Sequence, residues 1–144
     1  KSIGRKVVNA GVPGEISEEG LRRLPALIAE HSPALVILCH GGNDFLRHLD
    51  PKAMRANVTA MVRLCRERGA DVILLGVPEL SLFLEPSGEY DAIAEELALP
   101  YDRETLAEIL GTRKLKSDRI HPNAKGYSEL ADAVAHLIRK AGGL

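Results

Sequence analysis

Cysteine is scarce in this 144-residue chain: only Cys39 and Cys65 are present. One stands in an apolar run that reads as a strand and the other in a helical pattern, which argues against a disulfide or a cysteine metal site and for two free, buried thiols. Net charge is scarce too. The 19 basic and 20 acidic residues are mixed along the sequence and leave a formal charge of -1, so there is no electrostatic footprint for nucleic acid, and small neutral or weakly charged substrates stay open. No apolar run approaches the ~18 residues that cross a bilayer, and Lys1-Ser2-Ile3-Gly4-Arg5-Lys6 lacks the apolar stretch of a signal peptide. His31, His48 and His136 have no carboxylate or cysteine partner at metal-ligand spacing, so no metal is expected. What is present is ordinary: 45% hydrophobic and 27% charged composition suits one soluble domain over residues 1–144 with a substantial core.

Short β-rich runs alternate with amphipathic helical stretches. Val7-Val8-Asn9 reads as a strand feeding a glycine loop, Gly11-Val12-Pro13-Gly14. Ser17 opens a helix with Glu18 and Glu19 in its first turn and a stripe of Leu21, Leu24, Leu27 and Ile28. Residues 34–39 form a continuous apolar run, as in a parallel strand covered on both faces. Asp50-Pro51 caps the next helix, whose buried face is Met54, Val58, Met61, Val62 and Cys65. Residues 71–75 are a further strand. The irregular apolar stretch between Glu79 and Gly88, with Leu82-Phe83-Leu84 at its centre, is a candidate substrate-side loop or a segment buried against the final helices. Helices over 90–97 and 103–110, a short strand at 99–101 and a last helix from Asn123 to about Ala141 complete the pattern. Strand alternating with helix implies a parallel, doubly wound sheet, with its site beyond the carboxyl ends of the strands.

Three loops carry chemistry. Ser117-Asp118-Arg119-Ile120-His121-Pro122-Asn123 places a carboxylate three residues before an imidazole; such an Asp can hold the His Nδ1–H and leave Nε2 free as a base, though the spacing alone equally suits a capped turn and a surface histidine. Gly41-Gly42-Asn43-Asp44 ends the most hydrophobic strand, where glycines admit a close ligand and the Asn43 amide can donate to developing negative charge; it also suits a plain strand-ending turn. Gly14, before Glu15, could turn a backbone N–H towards an anion or could be an ordinary left-handed glycine. His40, before the Gly-Gly pair, could line the site, yet a strand-end histidine is more often structural.

Together these residues resemble the SGNH, or GDSL, family of ester hydrolases. Residues 9–15 look like the family's second block, Gly41-Gly42-Asn43-Asp44 matches the third, and Asp118 to Asn123 matches the fifth; Gly126-Tyr127 extends the likeness into the last helix. The resemblance implies a three-layer α/β/α sandwich with a flavodoxin-like parallel sheet. It also implies His121 as base, Asp118 as its orienting carboxylate, and Gly14 and Asn43 as the oxyanion hole, with a small acyl ester as substrate and no cofactor. Within the family the chain looks most like the bacterial thioesterase I, lysophospholipase and arylesterase branch.

The family's first block, Gly-Asp-Ser-Leu, is missing. Ser2, Ser17, Ser32, Ser81, Ser87, Ser117 and Ser128 all lie outside a Gly-Asp-Ser context, so the nucleophile is expected upstream of Lys1, on a central strand that the 144 residues lack; made alone, they are expected to fold poorly and to be inactive. Two other readings compete: a family member that lost its serine and binds lipid or carbohydrate, and a flavodoxin-like small-ligand binding domain. An oriented imidazole base favours the enzyme.

Overall fold

The computed structural model describes residues 4–79 and 86–142. Helix α1 (Ser17–His31) leads to strand β1 (Leu35–Leu38), a short helix α2 (Gly42–Leu46), the long helix α3 (Pro51–Glu67) and strand β2 (Asp71–Leu75). Helix α4 (Gly88–Leu97), strand β3 (Tyr101–Asp102), helix α5 (Thr105–Gly111), a single 3-10 turn (Arg113–Leu115) and helix α6 (Ala124–Lys140) follow. The strands pair in the order β1-β2-β3. Both pairings are parallel, with Leu35 opposite Asp71 and Leu74 opposite Tyr101.

The alternation of β2 builds the layers. Val72 and Leu74 point into a large cluster with Leu24 and Ile28 of α1, Met54, Val58 and Met61 of α3, and Ile93 of α4. Ile73 and Leu75 point the other way, onto Val134 and Ile138 of α6. A sheet apolar on both faces must be covered on both, so the chain is an α/β/α sandwich. Helix α3 shows why the local sequence suffices for an element: Asp50 Oδ1 accepts the Lys52 N–H at 2.9 Å, Pro51 occupies the first turn, and the apolar residues recur at helical spacing. Each large aliphatic side chain buried this way contributes about 1.5–3 kcal/mol.

Four expectations are corrected. Val7-Val8-Asn9 forms no strand and stands in solvent, Val7 being 68% exposed; a strand exists only by pairing, and among the described residues none pairs with it. The run over 34–39 is not covered on both faces along its whole length: on the side of α6, Leu35 packs against the cluster of Ile73, Val134 and Ile138, but Ile37 is 39% exposed. Cys39, at the end of that strand, is consequently exposed, whereas Cys65 is buried; both are free. Finally, Gly42-Asn43-Asp44 is not a simple turn but the opening of α2. The Leu82-Phe83-Leu84 segment lies outside the described residues.

Candidate active site

Parallel strands gather their carboxyl ends on one rim, and the first loop there follows β1. Its turn rests on Gly41, whose φ of 107° lies in the left-handed half of backbone space that favours glycine. A Cβ at this position would run into the Tyr90 hydroxyl and stand 2.9 Å from Met54 Sδ. The same hydroxyl donates to the His40 carbonyl at 2.6 Å, so the turn is clamped from below. Helix α2 then starts at once and presents Asn43 and Asp44 from its first turn.

Asn43 reaches the loop before α1. Its Nδ2 donates to the Glu15 carbonyl at 2.9 Å, and the Arg47 guanidinium donates to the Gly14 carbonyl at 2.8 Å. One hydrogen of the Asn43 amide is thereby held while the other has no partner among the described residues. Gly14 is exposed, has φ 79°, and its own N–H makes no hydrogen bond within those residues. The two residues expected to share an oxyanion hole are therefore neighbours.

A charged cluster braces the same loop. Glu15 takes a fork from Arg23, Nε at 2.7 Å and Nη2 at 2.8 Å, and Arg23 also donates to the Ala10 carbonyl. The Gly41 N–H donates to His40 Nδ1 at 3.0 Å, which makes Nε2 the protonated nitrogen, donating to Glu15 Oε2 at 3.2 Å. The Arg23 hydrogen bonds, opposed by burial and reinforced by His40, hold the Glu15 carboxyl below its usual range. His40 thus bridges the turn after β1 and the Glu15 carboxylate.

The second arm is the loop into α6. Lys116 bridges Pro122, Ser117 N–H donates to the His121 carbonyl at 2.9 Å, and Asn123 N–H to the Leu115 carbonyl at 2.8 Å. Asn123 also caps α6 by accepting from the Lys125 and Gly126 N–H groups. Inside this closed loop Asp118 Oδ1 accepts from the backbone of Ile120 and His121, at 2.8 and 2.9 Å. Its Oδ2 faces His121 Nδ1 at 2.8 Å. Asp118 thus caps the turn and orients the ring at once. The Ile120 N–H first, then the His121 ring, hold its carboxyl below the usual range. The His121 side chain is 58% exposed, and with Nδ1 engaged its Nε2 is the nitrogen open to a substrate.

The fold thus joins Gly14 to Asn43 and Asp118 to His121; no hydrogen bond among the described residues links the two pairs. Ser17 Oγ bonds Asp44, and Ser117 Oγ bonds the His121 carbonyl rather than the ring, so no serine of the described residues is hydrogen-bonded to the imidazole. Among the same residues no group of three His, Cys, Asp or Glu could hold a metal, and no helix is long and apolar enough to cross a membrane. An open cavity beside Ile28, Ala34 and Gly69 sits at the amino ends of the strands, away from these loops. Sequence reading missed Arg23, Arg47, Asn57 and the buried roles of Ser17 and Asp44. The adjacent Asn-Asp after a Gly-Gly was the available signal for the last.

Residues 1–128 match the model of the GDSL-like Lipase/Acylhydrolase family. The chain is 39% identical over 137 residues to the esterase TesA of Pseudomonas aeruginosa, covering 90% of this chain and 67% of that protein. It is 30% identical over 139 residues to thioesterase 1/protease 1/lysophospholipase L1 of Escherichia coli, covering 92% of this chain and 67% of the relative. The crystal structure of TesA superposes with a TM-score of 0.83 at 34% identity, over 94% of this chain and 78% of the other. The esterase EstA of a Pseudoalteromonas species, solved with monoethylphosphonate as inhibitor, gives 0.77 at 28% identity over 92% and 78%. The chain belongs to the GDSL-like lipase and acylhydrolase family and is an ester hydrolase of the SGNH type.

Proposed function

We propose that the enzyme hydrolyses small acyl esters or thioesters through a serine nucleophile, with His121 as general base, Asp118 as its orienting carboxylate, and Gly14 N–H and Asn43 Nδ2 as oxyanion donors. The observation that carries this reading is the 2.8 Å contact of Asp118 Oδ2 with His121 Nδ1. It fixes the tautomer in which Nε2 can take a proton. The nucleophile is assigned to the family's Gly-Asp-Ser block, which residues 1–144 do not contain. In the reaction the serine Oγ adds to the substrate carbonyl carbon as its proton passes to Nε2, and the carbonyl electron pair moves onto oxygen, where the two donors meet it. Collapse of that adduct expels the alcohol or thiol, which takes the proton back from the imidazolium. Water then repeats the sequence on the acyl-enzyme. The relatives are named esterase and thioesterase 1/protease 1/lysophospholipase L1, which supports esters and thioesters as the substrate class, a lysophospholipid being an ester of the same kind.

In the full-length enzyme, His121→Ala should bring hydrolysis of a chromogenic short-chain ester close to background. Asn43→Ala should lower kcat by roughly 10²–10³-fold with KM little changed, because the donors act most strongly once the oxygen carries charge. Wild-type turnover in Asn43→Ala would remove that residue from the oxyanion hole.

A further inference from the structure

Beneath the two proposed oxyanion donors lies a polar cluster that the mechanism does not use. Asp44 is only 3% exposed and Ser17 is fully buried. Asp44 Oδ2 accepts the Ser17 backbone N–H at 2.8 Å, its Oδ1 accepts the Ser17 hydroxyl at 2.6 Å, and Asn57 Nδ2 of α3 donates to that hydroxyl at 3.0 Å. Ile16, the residue just before α1, offers no side-chain cap to the helix, and a carboxyl from a distant element accepts from one of the helix's first-turn N–H groups. A buried polar group is retained only if its partners are satisfied, and here each oxygen of Asp44 has one.

The connection to the site is geometric. Asn43 and Asp44 are consecutive in the first turn of α2, and they grip the same stretch of chain two residues apart: Asn43 holds the Glu15 carbonyl and Asp44 holds Ser17. Gly14 is the residue immediately before the gripped segment. Its N–H direction is therefore set relative to the Asn43 amide by two adjacent side chains of one rigid turn. Arg47 on the Gly14 carbonyl and Arg23 and His40 on the Glu15 carboxylate brace the same loop; Asp44 is its buried anchor, on the α1 side, and adds to the restraint that keeps two donors within the tolerance catalysis needs, about half an ångström.

We propose that Asp44, through Ser17 and Asn57, is a positioning residue of the oxyanion hole: it fixes the Gly14 N–H against the Asn43 amide without touching substrate. The inference rests on the assignment of Gly14 and Asn43 to that hole. Asp44→Ala leaves the Ser17 N–H and hydroxyl without their acceptor and frees the first turn of α1 to shift. A misplacement of about 1 Å costs up to roughly 10²-fold in rate, and with Asn43 still in place a loss of about tenfold in kcat is expected, with KM within about twofold.

The test is a double-mutant cycle in the full-length enzyme, with kcat and KM measured well below each variant's melting temperature and normalised to folded protein by circular dichroism. The proposal expects Asn43→Ala to lose 10²–10³-fold, Asp44→Ala about tenfold, and the double variant clearly less than the product of the two losses, since Asp44 aligns the two donors with each other and Asn43→Ala has already removed one of them. Wild-type kcat in Asp44→Ala, even with a lowered melting temperature, overturns it and leaves the hole assignment standing. Multiplicative losses in the double variant overturn it as well. Wild-type kcat in Asn43→Ala overturns the hole assignment itself. Should Asp44→Ala not fold, Ser17→Ala is read in the same cycle: it deletes both hydroxyl bonds while sparing the backbone bond, and a severalfold kcat loss that shrinks in the Asn43→Ala background supports the proposal, whereas an unchanged kcat, or the same loss in both backgrounds, refutes it.

Discussion

Replacing Gly41 by alanine separates backbone strain from steric conflict at the turn that carries the site. The residue sits at φ 107°, so any L side chain incurs about 1–2 kcal/mol of backbone strain. The added methyl must also displace the Tyr90 hydroxyl and the Met54 thioether, which lies at 2.9 Å from the Cβ position; overpacking of this kind costs about 1–3 kcal/mol. The sum, about 2–5 kcal/mol, is a large part of a typical ~5–15 kcal/mol stability. At about 3 °C per kcal/mol for a protein of this size, the expected loss in Tm is about 6–15 °C in the full-length protein, read by scanning calorimetry. Gly69 is the control, because it has φ 80° with nothing within 4 Å of a Cβ: Gly69→Ala should show the strain alone, about 3–6 °C. A Gly41→Ala shift no larger than that of Gly69→Ala would refute the argument that Tyr90 and Met54 close the space.

Asp118→Asn should keep the loop, since an amide oxygen can still accept from the Ile120 and His121 N–H groups, but it presents Nδ2 to the ring and disfavours the useful tautomer; kcat for ester hydrolysis should fall by about 10²–10³-fold, less than at a buried triad because this pair is exposed to solvent, and an unchanged kcat would rule Asp118 out as the orienting group. The Glu15 carboxyl lies below its ordinary value of 4.5, so its contribution to stability is present above that pH and is lost as pH falls through the lowered value. Arg23→Ala removes the largest cause of the lowering and leaves burial to raise the pKa, so the midpoint of acid unfolding followed by circular dichroism should move to higher pH; a midpoint that stays put or falls contradicts the assignment of that pair.

Helix α3 and strand β2 were legible in the sequence because their signals are local. A cap, a proline at the start, apolar residues at helical spacing and a run of β-branched and aliphatic residues act within one turn or one strand and need no knowledge of partners. The Asp118 to His121 contact was legible for the same reason: three residues of separation inside one loop put the carboxyl within reach of the ring wherever the loop lies.

Tertiary structure decided whatever depends on a distant partner. Val7-Val8-Asn9 has strand-forming residues but becomes a strand only by pairing, and composition does not reveal whether a neighbour is present. Cys39 and Ile37 are apolar in sequence yet exposed, because burial depends on which distant element covers each residue, and the cluster on α6 takes in Leu35 but neither of these. The grip of Asn43 on Glu15 spans 28 residues and that of Asp44 on Ser17 spans 27; nothing in a helix period or a turn rule encodes such distances. The sequence by itself determined which residue types could form an acid-base pair and an anion-binding loop. The packing of α1 and α3 against one face of a parallel sheet decided that Asn43 and Asp44 would hold that loop, since only that packing carries the start of α1 to the first turn of α2.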